Sequence, residues 1–403
     1  MRILNVTQSY APFFEFGGPP VKVRALAEGL AARGHAATVL TADWGLDQRL
    51  LQLPDEPSAE HCPFGRKRTT AGVTAVYLGN WLHYRAASWN PGLPRFLRAR
   101  LQEFEVVHIF GLYDLLGPRV AAACREKNIP YIVEPIGMYV PRVRNLRLKR
   151  MYHRFLGREM LAGASAIVAT AEQEQTELLR GGIPKEKIVL RRNGVEGPCV
   201  PPQRGRFREA MGIPPEAKLL LFLGRLSEKK SPVLLLQAFA KIAALENPAQ
   251  APVHLAFVGP DEAGMLARLK KMAASITPKG RVHFSAALAD TPKWQAYRDA
   301  DIFVLPSQNE NFGNTAAEAV AAGTPVVVTD QCGIAPLLAG IAGLVVKYDV
   351  SALTNGILEL LNDKGLHARL QAGCVGVSAA LTWSHPIEQM VNVYAALAAH
   401  SHS

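Results

Sequence analysis

The chain has 403 residues, a length that predicts two domains or one unusually large one. Its composition, with 49% apolar and 20% charged residues, is typical of a soluble globular protein. No apolar run reaches the ~18 residues that a membrane-spanning helix needs, and the N-terminus leads straight into a strand-like run. The sequence therefore predicts neither a membrane span nor a secretory signal. The five cysteines are scattered without a C-x-x-C pair, which favours a reducing cytoplasm and disfavours a zinc site.

The positive charge of the chain indicates an anionic partner. The formal net charge is +11, which suits a phosphate-bearing ligand, an acidic membrane surface or nucleic acid. Because no recognised nucleic-acid-binding motif accompanies the charge, we expect no nucleic-acid partner.

The first half of the chain alternates short strands with helices. A strand at 3–6 is followed by a helix from Pro20 to Arg33, which Gly34 ends, and by a second strand at 38–41. Short apolar runs with similar boundaries predict further strands at 106–109, 131–133, 166–168 and 187–190. Strands this short and apolar, separated by helices, predict a parallel sheet covered on both faces.

The second half repeats the pattern after a break. A Pro/Gly/Arg-rich stretch at 197–206 is the best linker candidate, and strands follow at 219–223, 254–258, 282–284, 302–305, 326–328 and 343–346. The predicted fold class is α/β, with two Rossmann-like domains facing each other across a cleft. We place these domains at 1–197 and 198–383, followed by a last helix within 384–403.

Two glutamates eight positions apart, Glu310 and Glu318, lie in the most informative stretch of the second half. The strand before them ends at Pro306, and a helix is predicted from Thr315 to Ala322, so one carboxylate follows a strand and the other lies in the first turn of a helix. Ligands of open α/β sheets bind in that crevice, and amides at a helix start favour an anion. Two structural alternatives stay open: Glu318 completes a capping box with Thr315, and Glu310 is an exposed loop carboxylate.

The whole run resembles the E-x7-E signature of the retaining GT-B glycosyltransferases of family 4. The positions that match are Glu310, Phe312, Gly313, Glu318, Ala319, Ala321, Gly323, Pro325, Val326 and Val327. The resemblance implies the GT-B fold, with an acceptor-side first domain, a nucleotide-sugar-binding second domain, and a last helix (387–399) that crosses back to the first domain. Asn193-Gly194-Val195 also matches the N-G-V that ends the first domain in this family.

A pair of cations follows the first strand of the second domain. Arg225 and Lys230 lie five positions apart after Gly224, where they could converge on a diphosphate or simply be surface charges. The family carries G-R-L followed by K-G or K-S at this place, which implies that both cations bind the diphosphate of the donor. Spacing favours Lys230 over Lys229.

The resemblance also implies roles for the site as a whole. Glu310 would bind hydroxyls of the donor sugar, Glu318 would bind the ribose hydroxyls, and the amides at Phe312 and Gly313 would stabilise the leaving diphosphate. The implied donor-binding residues are Gly17, Gly18, Gly224, Arg225, Lys230, Glu310, Asn311, Phe312, Gly313 and Glu318. Retention in this family is usually explained by front-face attack, in which the donor phosphate takes the proton of the acceptor, so neither a side-chain base, a metal nor a further cofactor is expected.

Three positions of the first domain bear on the same chemistry. The Gly17-Gly18 loop is not a G-x-G-x-x-G motif, but the resemblance implies that it faces the donor phosphate and the acceptor. His108 ends a strand, where a lone histidine is more often structural; the family often has a histidine here, and we include it among the catalytic candidates with Glu310, Arg225 and Lys230. Ile136 stands where many members carry a histidine near the donor sugar, so that hydrogen bond is absent or is supplied by Glu134 or His108.

Two further motifs each have a structural and a functional interpretation. Asp299-Ala300-Asp301 resembles a metal-binding D-x-D, but it lies between a helix and a buried strand, which favours a structural role. The basic amphipathic segment from Arg142 to Arg158 is either a core-packed helix with a solvated face or a contact with an anionic membrane that presents a lipid-linked acceptor.

The sequence thus predicts a hexosyltransferase that moves a sugar from a UDP- or GDP-sugar to a carbohydrate or lipid-linked acceptor in polysaccharide or glycolipid assembly. The predicted location is the cytoplasm, either free or peripheral at the inner face of the membrane. A nucleotide-sugar epimerase on the same fold and a non-catalytic nucleotide-sugar binder are the alternatives.

Overall fold

The computed structural model describes residues 1–53, 56–84, 87–141, 145–198, 200, 202–245 and 251–400. It divides into two compact units. Unit 1 consists of Met1–Gly194 together with Trp383–Ser403, and unit 2 consists of Val195–Thr382.

The strands of unit 1 are β1 (Arg2–Thr7), β2 (Ala36–Ala42), β3 (Glu60–Cys62), β4 (Gly65–Thr70), β5 (Val73–Leu78), β6 (Leu82–Tyr84), β7 (Ala87–Trp89), β8 (Val106–Phe110), β9 (Tyr131–Glu134), β10 (Ala166–Ala169) and β11 (Ile188–Leu190). Nine of them form one sheet in the order β11-β10-β9-β8-β1-β2-β5-β4-β3. The strands from β11 to β5 are parallel, and β4 and β3 extend the sheet antiparallel. Strands β6 and β7 pair antiparallel in a separate two-stranded sheet.

The helices of unit 1 are α1 (Gly18–Ala31), α2 (Leu46–Leu50), α3 (Gly92–Arg100), α4 (Leu116–Glu126), α5 (Leu146–Tyr152), α6 (Arg158–Ala162) and α7 (Glu172–Arg180), and a π-helical turn (His153–Gly157) joins α5 to α6. Prolines in the first turn of α1 suit a helix start, where their missing amide hydrogen costs nothing. The chain's last helix (Ser384–His400) also belongs here, because Ile387, Met390 and Tyr394 are buried in the same core cluster as β1 and α1.

Unit 2 contains β12 (Lys218–Leu223), β13 (Val253–Val258), β14 (Val282–Ser285), β15 (Ile302–Leu305), β16 (Val326–Thr329) and β17 (Gly343–Val346). Its helices are α8 (Arg206–Met211), α9 (Pro232–Ala244), α10 (Met265–Ala273), α11 (Asp290–Asp299), α12 (Asn314–Ala321), α13 (Ala335–Leu338), α14 (Val350–Asn362) and α15 (Lys364–Ala380). The last helix of the chain (Ser384–His400), which belongs to unit 1, is labelled α16. All six strands are parallel, in the order β14-β13-β12-β15-β16-β17.

Separate apolar clusters cover the two faces of the unit 2 sheet. Helices α11 and α12 contribute to one cluster, and α9 and α14 to the other. The strands are apolar on both sides because both faces are covered, which is the arrangement that the near-continuous apolar runs predicted. The chain runs outward from β12 to β14 and then returns to the other side of β12 with β15, so the order reverses between β12 and β15.

Candidate functional site

The candidate site of unit 2 lies where the strand order reverses. Strand β12 pairs with β15, so the segments that follow their carboxyl ends lie side by side. The amide of Gln308, after β15, donates to the carbonyl of Lys229, after β12, at 3.0 Å. In open α/β sheets this reversal point opens the crevice that takes ligands.

Lys230 and Glu310, which the sequence predicted as partners of diphosphate and sugar, contact each other. The Nζ of Lys230 donates to Oε2 of Glu310, and both side chains are largely buried. Burial raises the pKa of Glu310, but the charges of Lys230 and Lys229 and the hydrogen bond from Lys230 outweigh burial and lower it overall. Glu310 is also fixed through its backbone, whose amide donates to the carbonyl of Gln331 at 3.0 Å.

Arg225 is nearer the surface than Lys230. Its Nη1 lies 3.3 Å from Oε2 of Glu262, and both side chains are exposed. The preceding residue, Gly224, has φ of +153°, and a Cβ built on Gly259 would lie 2.0 Å from the carbonyl oxygen of Gly224. Gly259 therefore permits the close approach of the segments that follow β12 and β13, a role that sequence reasoning missed although the glycine directly follows a predicted strand.

The start of α12 brings together the glycine and the amides that the motif predicted. Gly313 is the N-cap with φ of +111°, a conformation that suits glycine, and Phe312 before it is buried. The N-cap Gly313 has no side chain that could accept from the helix amides, and the Glu318 carboxylate accepts from Lys293 and Tyr297, so the capping-box alternative for Thr315 and Glu318 is not formed. Within the described residues the Thr315 hydroxyl has no hydrogen-bond partner. The first amides of a helix likewise lack intrahelical acceptors, so this end suits an anion.

Glu318 is held by two residues of α11 that sequence reasoning did not single out. The hydroxyl of Tyr297 donates to Oε2 at 2.8 Å, and the Nζ of Lys293 donates to Oε1 at 3.0 Å. Burial, together with the charge and hydrogen bond of Glu318, raises the pKa of the Tyr297 hydroxyl well above its ordinary value. No sequence signal marks these residues, because the contact arises from the packing of α11 on α12.

His108 in unit 1 lies in the interior instead of at a surface. Its side chain is 0% exposed, and its Nδ1 is 2.7 Å from the hydroxyl of Tyr394 in α16. Burial lowers its pKa to about 3, although Glu134 nearby opposes this shift. Because the ring is fully buried, it cannot contact a substrate in this conformation. The position of His108 therefore does not support its predicted catalytic role.

Glu134 is equally enclosed. Lys22 donates to its carboxylate at 2.6 Å, and Arg191 donates to both of its oxygens at 2.8 Å. Burial raises its pKa, but Arg191 and Lys22 outweigh this and lower it to about 2. Of the other predicted positions in unit 1, Gly17 has φ of +96° before the start of α1, Gly18 begins that helix, and Ile136 has φ of +55°.

The D-x-D motif is occupied by structural contacts. Asp299 accepts from the amides of Phe207 and Arg208, and Asp301 pairs with the Arg208 guanidinium at 2.7 Å. Among the residues that the structure describes, no group of three or more His, Cys, Asp or Glu side chains could hold a metal ion.

The basic segment is not a core-packed helix. The described part consists of α5, the π-helical turn and α6, and Arg142 and Arg144 lie outside the described residues. Leu148, Met151 and Phe155 are exposed, the last to 65%, beside exposed arginines. The apolar residues that the core-packed alternative would bury therefore face outward.

Comparison with known proteins identifies the family. The family model "Glycosyl transferases group 1" matches residues 203–373, and "Glycosyl transferase 4-like domain" matches residues 17–194. The D-inositol 3-phosphate glycosyltransferase of Jonesia denitrificans is 30% identical over 399 residues, which cover 94% of this chain and 91% of that protein. The enzyme of the same description from Xylanimonas cellulosilytica is 31% identical, with the same coverage.

Solved structures agree on the fold. Sucrose-phosphate synthase from Thermosynechococcus elongatus has a TM-score of 0.75 at 22% identity and covers 99% of both chains. The HepE protein of Anabaena, in complex with UDP and glucose, has a TM-score of 0.75 at 18% identity and covers 98% of this chain and 100% of its own. The chain belongs to the GT-B glycosyltransferases of family 4. It is a glycosyltransferase, as the sequence predicted, and the comparisons do not support the epimerase alternative.

Proposed function

We propose that the protein transfers a hexose from a nucleotide-diphosphate sugar, with retention, to a hydroxyl of a carbohydrate or lipid-linked acceptor in polysaccharide or glycolipid assembly. The observation that carries the proposal is the Lys230–Glu310 pair at the strand-order reversal, beside the uncapped start of α12. UDP is the first donor nucleotide to test, because a neighbour of the same fold is described in complex with UDP and glucose.

Binding of the donor would exchange one partner of Lys230 for another. A diphosphate carries more negative charge than a carboxylate, so it would compete with Glu310 for the ammonium group. Glu310 would then accept hydrogen bonds from hydroxyls of the donor sugar. Arg225, whose pairing with Glu262 is exposed and weak, can turn to the same diphosphate.

The same groups would stabilise the transition state. Negative charge grows on the diphosphate as the glycosidic bond breaks, and the two cations and the amides near Phe312 and Gly313 would stabilise that charge. The proton of the acceptor hydroxyl would pass to the departing phosphate, so we propose transfer without a side-chain base or a metal.

The test compares the affinity for free UDP of three variants by titration calorimetry. Arg225→Ala and Lys230→Ala should each weaken binding about 10- to 100-fold, because each removes a charge-assisted contact. Lys271→Ala, a matched change of an exposed cation on α10, should leave the affinity unchanged. Unchanged UDP and GDP affinities in both site variants would remove the diphosphate assignment, and activity that EDTA abolishes and manganese restores would remove the metal-free mechanism.

We also propose that the enzyme works at the cytoplasmic face of a membrane, without a helix that crosses it. In the described ranges no helix is both long enough and apolar enough to span a bilayer. The exposed apolar residues of the basic segment, next to Arg147, Arg150 and Arg154, suit contact with an anionic lipid surface.

A further inference from the structure

Glu318 has two partners, and both come from one face of α11. Lys293 and Tyr297 are four positions apart, so their side chains lie one helical turn from each other. Each gives its hydrogen bond to a different oxygen of the carboxylate: Lys293 to Oε1 and Tyr297 to Oε2. The Glu318 side chain is 19% exposed and that of Lys293 is 24% exposed, so the arrangement borders the surface.

Both donors are themselves held in place. Tyr297 is fully buried, and its ring packs against those of Phe303 and Trp294 at centroid distances of 5.5 and 5.8 Å. The ammonium group of Lys293 lies 4.8 Å from the centre of the Trp294 ring, within the range of a cation–π contact. Neither donor can leave without disturbing this packing.

The carboxylate keeps acceptor capacity for a ligand. An ionised carboxylate offers about four lone-pair sites, and Lys293 and Tyr297 use one on each oxygen. One site on each oxygen remains, a spacing that fits two neighbouring hydroxyl groups.

We infer that Lys293 and Tyr297 are positioning residues that orient Glu318 to receive both ribose hydroxyls of the donor nucleotide, and that this arrangement makes the enzyme select ribonucleotides over deoxyribonucleotides. The inference rests on the proposed function, in which Glu318 binds the ribose. A site built to accept hydrogen bonds from hydroxyls discriminates strongly against a ligand that lacks them.

The test measures the affinity of two ligands, UDP and 2′,3′-dideoxy-UDP, for a set of variants. Lys293→Met removes the charge and keeps the length of the side chain, and it should weaken UDP binding about tenfold, the size of one lost charge-assisted hydrogen bond. Binding of the dideoxy nucleotide should change little. Lys293→Arg should restore most of the loss, Tyr297→Phe should act in the same direction as Lys293→Met, and Lys271→Met, on the exposed face of α10, should have no effect.

The outcomes separate the inference from the function beneath it. If Glu318→Gln leaves the preference for UDP over its dideoxy analogue intact, the ribose assignment of Glu318 is wrong. If Glu318→Gln abolishes that preference but Lys293→Met and Tyr297→Phe preserve it, only the positioning role is wrong. An equal loss for both ligands in Lys293→Met also overturns the inference, because it indicates a general structural defect.

Discussion

At the residue scale, each buried or partly buried carboxylate that bears on function is paired with a lysine. Glu310 is paired with Lys230, Glu318 with Lys293, and Glu134 with Lys22. A carboxylate removed from water needs such a partner to stay ionised. The two pairs of unit 2 keep some exposure to solvent, whereas the pair around Glu134 is sealed inside unit 1.

Replacing His108 is expected to reduce the loss of stability in acid. The pKa of His108 in the folded chain is about 3, below the ordinary value of 6.5, because burial disfavours the charged ring. Between these values the unfolded chain binds a proton that the folded chain does not, so stability falls as the pH drops from 6.5 toward 3. Near pH 5 the loss due to this group is about 2 kcal/mol. Urea denaturation of His108→Gln at pH 7 and pH 5 should show a smaller difference than the wild type, and His385→Gln, an exposed control, should match the wild type. If the free energy of unfolding of His108→Gln falls between pH 7 and pH 5 as much as that of the wild type, the His108 ring is not a buried neutral group.

The pairing of residues shows what the sequence could and could not predict. Arg225, Lys230, Glu310 and Glu318 stand at fixed spacings next to predicted strand and helix ends, so local patterns could place them near one edge of the sheet. Lys293 lies 25 positions before Glu318, on a different helix, and only the packing of α11 on α12 joins them. The burial of His108 has the same origin, because it depends on Tyr394 arriving from the far end of the chain.

At the element scale, the site depends on how closely two strand-to-helix connections approach. Gly259→Ala is expected to weaken UDP binding, because the added Cβ would lie 2.0 Å from the Gly224 carbonyl oxygen and φ of +145° is a conformation that essentially only glycine adopts. The connection that carries Arg225 must then shift. Gly264→Ala is the matched control: its φ is +78° and nothing lies within 4 Å of an added Cβ, so it tests backbone strain without the collision. Calorimetry with UDP and melting curves of both variants make the comparison. Equal UDP affinity in the two variants contradicts the packing role of Gly259.

Most strands with strong apolar patterns were predictable, although β5, which reads Val-Thr-Ala-Val-Tyr-Leu and is largely buried, was missed. All six strands of unit 2 are short apolar runs, and each coincides with a predicted strand. The antiparallel extension of unit 1 was missed because β4, which lies between β5 and the edge strand β3, reads Gly-Arg-Lys-Arg-Thr-Thr and has no apolar alternation. The order of the strands in each sheet could not be predicted from a single sequence either, because parallel pairing depends on where each crossover helix packs.

At the scale of the whole molecule, the surplus of positive charge and the outward-facing apolar residues of the basic segment lead to the last prediction. We expect the protein to float with anionic liposomes at low salt and to detach as salt rises, because each basic side chain near the lipid surface contributes ~1 kcal/mol and salt screens that attraction. Neutral liposomes should bind it weakly, through apolar contact alone.

Two sets of substitutions separate charge from apolar contact in this segment. Reversing Arg147, Arg150 and Arg154 to Glu should abolish flotation with anionic liposomes at low salt, because attraction becomes repulsion. Leu148→Ser, Met151→Ser and Phe155→Ser together should leave binding that is weaker and more sensitive to salt, because the apolar contact is lost and only the charge attraction remains. Reversal of Arg268, Lys270 and Lys271 on α10 of unit 2 removes the same net charge elsewhere and should leave flotation intact. A protein that ignores anionic liposomes at low salt, or that loses binding equally with the α10 reversal, contradicts a membrane role for the segment. A soluble acceptor would then be the better assignment, because no other described part of unit 1 combines exposed arginines with a continuous set of exposed apolar side chains.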